Sequence, residues 1–138
     1  MKLSKNFTLK EMIKSPTAER LHISNIPNEP ELKKLKQLCV EILQPIRDKY
    51  KKPIRVTSGF RSSELNKVVK GSINSQHLRG EAADIVSCDN LLLWNIIIEM
   101  INKGELRVGQ LINEKQLSWI HISLPAERSI RYNQILRL

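Results

Sequence analysis

The stretch "SQHLRGEAADI", residues 75–85, decides how this chain reads. It sets His77, one of only three histidines, ahead of Asp84, with Gly80 between them. "EAADIVS" reads as a strand, and alternate strand residues face the same side of a sheet. Ala82 and Asp84 therefore share a face, and the small Ala82 leaves space beside the carboxylate. His77 falls in the loop before the strand. Gly80 lets that loop fold back closely, so the imidazole can be presented next to Asp84.

One histidine and one aspartate do not make a metal site, and a third ligand is needed. His121, in "SWIHISL", alternates with Trp119 and Ser123 on one strand face, while Ile120, Ile122 and Leu124 take the other. His77, Asp84 and His121 would give a zinc ion three protein ligands and leave a position for water. That is the pattern of a catalytic rather than a structural zinc site. The residues alone leave plainer roles open. Asp84 could be a strand-end carboxylate, His77 a surface loop residue and His121 a satisfied core histidine.

Outward from this stretch the chain reads as α+β, helices first and then a small, mainly antiparallel sheet with helices on one face. "TLKE", from Thr8 to Glu11, is a capping box opening a short helix. Ser15 before Pro16 starts a second. Pro30 suits the first turn of a longer helix whose stripe is Leu32, Leu35, Cys39, Ile42 and Ile46. Pro45 is expected to kink or end it. "IRVTSGF" reads as a strand ending at Gly59. "SSELNKVVKG" is a short helix capped by Ser62 or Ser63 and stopped at Gly71. "DNLLLWNIIIEMINKG" is a largely buried helix closed by Gly104. "GQLINE" and "SWIHISL" are two strands joined by the turn "KQL", and "IRYNQILRL" could add a last strand.

The whole chain bounds the answer further. Its 138 residues argue for one domain, 1–138. A domain of this size buries roughly 68–70% of its unfolded surface and needs no disulfide. Cys39 and Cys88 have no C-x-x-C spacing and read as reduced. No run approaches about 18 apolar residues, so no membrane span is expected. "MKLSKNFTLKEMIKS" lacks the apolar centre of a signal peptide, so synthesis in the cytoplasm is expected, with release by other means. The net charge of +9 suits nucleic acid or an anionic envelope polymer. Aromatics are only 4% of residues, which argues against a single-strand nucleic-acid platform.

"SGFRS", "N", "SQHLRGEAAD" and "WIHISL" occur in that order and together resemble the zinc D-alanyl-D-alanine carboxypeptidase family. That family includes vancomycin-resistance dipeptidases and phage endolysins, and its metal-site scaffold is similar to the hedgehog signalling domain. Its pattern is S-x-H-x-x-G-x-A-x-D followed by W-x-H. Ser75, His77, Gly80, Ala82, Asp84, Trp119 and His121 all match. "NFTLKEM" and "LQPIRDKY" extend the likeness to small phage-type members, so it covers nearly the whole chain. The resemblance implies about one zinc per chain on His77, Asp84 and His121. It implies that Arg61 contacts substrate carboxylate or stabilises transition-state charge. Ser75 and Gln76 would bind substrate or shape the ligand loop, and Asn66 would sit on a helix surface, anchor a loop or line the groove.

Many relatives place an acidic residue three positions before the second histidine, where this chain has Ser118. Glu114 is the nearest replacement, since a hairpin would return it beside His121. Glu81 is a second candidate, set against by its expected orientation opposite to Ala82. The resemblance thus implies a zinc peptidase acting on peptidoglycan peptides, phage-like and working on the wall after release. Glu114 would move protons and Arg61 would hold anionic charge. A non-catalytic zinc-bearing wall-binding or phage structural module is the alternative, favoured by Ser118. A nucleic-acid-binding protein would leave His77, Asp84 and His121 without a role.

Overall fold

The computed structural model describes residues 1–126 and 132–137. The chain opens with a ribbon that the helix-first reading missed, β1 (Lys2–Ser4) against β2 (Phe7–Thr8). Two short helices follow, α1 (Leu9–Ile13) and α2 (Pro16–Leu21). Thr8 caps α1 by accepting from the Glu11 N–H at 3.2 Å. The expected capping box is only half made, because the Glu11 carboxylate turns to the backbone of Val56. Ser15 caps α2 as expected.

The longest helical run begins at α3 (Glu29–Leu38). Its capping box is Asn28 with Glu31: the Glu31 N–H donates to Asn28 Oδ1 at 2.9 Å, and the Asn28 N–H to Glu31 Oε1 at 2.8 Å. Pro45 does not end the run, one of the two outcomes expected of it; the helix is distorted just before it instead. A π-turn, Cys39–Leu43, comes first, and α4 (Gln44–Tyr50) continues through the proline. Proline has no N–H to close the usual bond to the carbonyl four residues back. Here the ladder widens just upstream, with the Gln44 N–H donating to Cys39 O, so the missing bond falls where the helix is already loosened. The run keeps Leu35, Leu38, Cys39, Ile42, Leu43 and Ile46 fully buried on one side. Burying each such aliphatic side chain stabilises by about 1.5–3 kcal/mol. Both cysteines are free. Burial first, and the nearby Glu11 second, push the Cys39 thiol up to about 12.

The second half forms the sheet. Its strands are β3 (Arg55–Ser58), β4 (Ala82–Val86), β5 (Gln110–Glu114), β6 (Trp119–Ser123) and β7 (Gln134–Arg137). The spatial order is β3-β4-β6-β5-β7, antiparallel except for the parallel pair β5 and β7. The last strand expected from "IRYNQILRL" is therefore present over Gln134–Arg137, while residues 130, 131 and 138 of that stretch lie outside the described residues. Helix α5 (Ser63–Val68) follows β3 with Ser62 as its cap, and α6 (Asn90–Asn102) follows β4 with Asp89 as its cap.

Strand alternation divides the sheet into two faces. Val56, Ala83, Ile85, Leu111, Ile120 and Ile122 join the α3–α4 run and α6 in one core. Ala82, Asp84, Ile112, Trp119 and His121 lie on the opposite side by alternation and by register. The architecture is α+β with a mainly antiparallel sheet, as the sequence suggested. Among the described residues, no helix is long and apolar enough to cross a membrane.

Candidate metal centre

Asp84 and His121 are direct cross-strand partners between β4 and β6. Such partners have β-carbons about 4.5–5.5 Å apart on one face, and here His121 Nδ1 lies 3.0 Å from Asp84 Oδ1. His77 arrives from a short 3₁₀ turn, Gln76–Arg79, that runs directly into β4. Its Nε2 is 3.4 Å from the same Asp84 oxygen. The three potential ligand atoms all lie within 4.8 Å of one another. The two imidazoles meet edge to face, with ring centres 5.2 Å apart.

The loop that delivers His77 is fixed at each end. Ser75 Oγ accepts the His77 N–H at 3.2 Å, and Gln76 Nε2 donates to Leu124 O at 3.1 Å. The Arg61 N–H donates to His77 O at 3.0 Å. Gly80 ends the turn in the left-handed region at φ +74°, and a β-carbon there would lie 2.5 Å from Glu31 O. The fold-back inferred for Gly80 is thus a close approach to α3 that a side chain would block.

The chemistry of this donor set fits a cation. His77 Nδ1 lies 2.7 Å from Gly59 O and donates its hydrogen to that carbonyl. Its Nε2 then presents a lone pair toward the Asp84 carboxylate, and a proton or a metal ion must sit between two such bases. Anchoring a ligating histidine through its other nitrogen is how metal sites set tautomer and ring orientation. His77 is only 2% exposed, so bulk water does not screen the pair. Burial, the largest single influence on Asp84, pushes its carboxyl up. Hydrogen bonds from His121 and His77 in their protonated forms, with the charge the rings then carry, outweigh burial and hold it well below the usual carboxylate range. Asp84 is therefore ionised, as a ligand must be.

A cleft of about 240 Å³ opens beside this cluster, and both Asp84 and Arg61 line it. Lys14, Ser15 and Thr17, from the connection into α2, line it too. Nothing in their local sequence marked them, because only folding brings that connection to the sheet. Burial lowers the pKa of the Arg61 guanidinium, and Asp84 opposes that shift. Asn66 is buried in α5, not on the helix surface, and its Nδ2 donates to Ser72 O at 3.0 Å, so of the roles expected for it the loop anchor is the one seen.

Glu114 pairs with Trp119 across the β5–β6 hairpin, while Ile112 pairs with His121. Glu114 therefore shares the face of His121, two cross-strand pairs along. The Lys115 ammonium sits over the Trp119 ring, 5.4 Å from its centre. Ser118 Oγ donates to Lys115 O at 2.7 Å and belongs to the turn. Glu81 Oε1 is 2.8 Å from Arg79 Nε, and alternation puts Glu81 on the face opposite Asp84. His22, the remaining histidine, caps the C-terminus of α2.

A family model described as Peptidase M15 matches residues 5–123, a span that takes in the three converging ligands, Arg61 and Glu114. No curated protein matches the chain.

Proposed function

Because this chain belongs to the peptidase M15 family, a family of zinc peptidases, we propose that it hydrolyses amide bonds in peptidoglycan stem peptides, as a D-Ala-D-Ala carboxypeptidase or an endolysin-like endopeptidase. The observation that carries this reading is the convergence of His77, Asp84 and His121, with Asp84 lining a cleft that Arg61 also lines. His77 through Nε2, Asp84 through Oδ1 and His121 through Nδ1 would hold zinc. When bound, zinc supplies Lewis-acid polarisation of a carbonyl and makes water acidic near neutral pH.

The remaining work falls to this chain's own side chains. Glu114 takes a proton from the attacking water and returns it to the leaving amine, the task of a positioned carboxylate. Arg61 holds a substrate carboxylate or the negative charge that develops on the carbonyl oxygen. Ser75 and Gln76 keep His77 in place through their bonds to the His77 N–H and to Leu124 O. The net charge of +9 draws the protein to an anionic wall. A phage-type enzyme that reaches the wall after release fits these properties.

The test pairs metal analysis with digestion. Protein freed of loosely bound metal should carry about one zinc per chain and release new amino or carboxyl termini from purified peptidoglycan. His121→Ala should lose both. Full zinc in His121→Ala would overturn the ligand assignment. Wild-type protein that holds zinc but cleaves no wall peptide would favour a binding module instead.

A further inference from the structure

Arg61 Nε and Asn66 Oδ1 are buried polar atoms without a hydrogen-bond partner among the described residues. They are neighbours. A β-carbon on Gly71 would lie 2.0 Å from Asn66 Oδ1 and 2.8 Å from Arg61 Nη1. Both groups thus crowd the same bare stretch of backbone, and only glycine leaves room for them. Leaving a buried acceptor unpaired is unfavourable, so its persistence beside a cation calls for a cause.

The orientation of the Asn66 amide follows from its surroundings. Its Nδ2 must face Ser72 O, because that carbonyl can only accept. Oδ1 is therefore the end left toward Arg61. The main chain braces the same turn: the Asn66 N–H donates to Ser62 O at 2.9 Å, and the Gly71 N–H to Asn66 O at 2.9 Å. Asn66 is only 4% exposed, so its amide is held as firmly as the helix that carries it. Arg61, by contrast, has a long side chain at the cleft shared with Asp84. A reorientation of that side chain would close the gap from Nη1 to Oδ1 with a charge-assisted hydrogen bond.

We propose that Asn66 is the positioning residue of the site, its amide oxygen setting the Arg61 guanidinium at the mouth of the cleft while Gly71 leaves the space for that contact. Asn66 touches neither substrate nor metal and acts through Arg61. The inference rests on the peptidase reading for its kinetic consequence, and on the contact alone for its structural one.

A double-mutant cycle tests the kinetic arm. Asn66→Ala should lower kcat/KM by about 10- to 100-fold, the range expected when a reacting group is slightly misplaced. In an Arg61→Ala background the same substitution should change kcat/KM by less than about twofold, because the partner it acts through is gone. Equal losses in both backgrounds would overturn the proposal in favour of a general structural role. The structural arm needs no turnover. In ¹⁵N-arginine-labelled protein, the Arg61 guanidinium, assigned by its absence from Arg61→Ala, should rotate slowly in wild type and freely in Asn66→Ala. Gly71→Ala, which displaces Oδ1 by a different route, should show the same release. An Arg61 signal as mobile in wild type as in Asn66→Ala would overturn the contact. Restricted rotation in a wild type that cleaves no wall peptide would uphold the contact and sink the peptidase reading instead.

Discussion

Asp84 is engaged with two imidazoles, Glu81 with Arg79, and the Ser118 hydroxyl with the turn. Glu114 is then the carboxylate of the β5–β6 hairpin that shares a face with His121 and has no ion pair among the described residues. Glu114→Gln preserves shape and removes the basic oxygen. It should keep its zinc and its melting temperature yet lose roughly 10²–10⁴-fold in rate, the usual yield of positioned proton transfer. Termini released from peptidoglycan, with zinc measured in the same sample, report it. Full activity in Glu114→Gln would hand the role to another group. At this scale the ligands were legible because His77, Asp84 and His121 carry a chemical signature. Asn66 and Gly71 were not, since a buried asparagine and a glycine look alike in sequence whether or not they serve a site.

The ligand loop is the element on which the site depends, and two glycines separate its contributions. Gly80 and Gly104 are both left-handed, at φ +74° and φ +73°. Nothing lies within 4 Å of a β-carbon on Gly104, whereas one on Gly80 meets the α3 backbone. Gly104→Ala should therefore cost about 1–2 kcal/mol from the left-handed conformation alone and leave zinc affinity intact. Gly80→Ala adds a backbone collision and should weaken zinc binding as well as stability. Urea unfolding of the metal-free proteins, followed by zinc titration, compares them. Equal zinc affinity in the two variants would refute the close-approach argument. Other elements hid from sequence for physical reasons. Pro45 reads as a helix breaker, yet the π-turn upstream lets α4 run on. The hairpin turn puts Lys115, Gln116 and Leu117 at positive φ without a glycine. Asn113 Oδ1 accepting from the Leu117 N–H at 2.7 Å, and Asn90 Nδ2 donating to Leu117 O at 2.8 Å, hold it there.

For the whole molecule, the site links strands β4 and β6 to the loop after α5, so a cation at its centre should stabilise the fold. A ligand that binds only the native state adds about 2.7 kcal/mol when free ligand is 100-fold above Kd. Thermal melting should therefore rise on adding zinc to chelated wild-type protein, and His121→Ala should show no such rise. An identical shift in both would place the zinc elsewhere. By itself the sequence determined the α+β class, most element positions and the three candidate ligands, because strand alternation, capping residues and histidine spacing are local properties of the chain. Tertiary structure alone decided the pairing of Asp84 with His121, the parallel seat of β7, the tautomer of His77 and the placing of Arg61 and Asn66 side by side at Gly71. Each of those depends on register or on contacts between distant segments, and long-range pairing is set by how the elements pack together, not by any one of them.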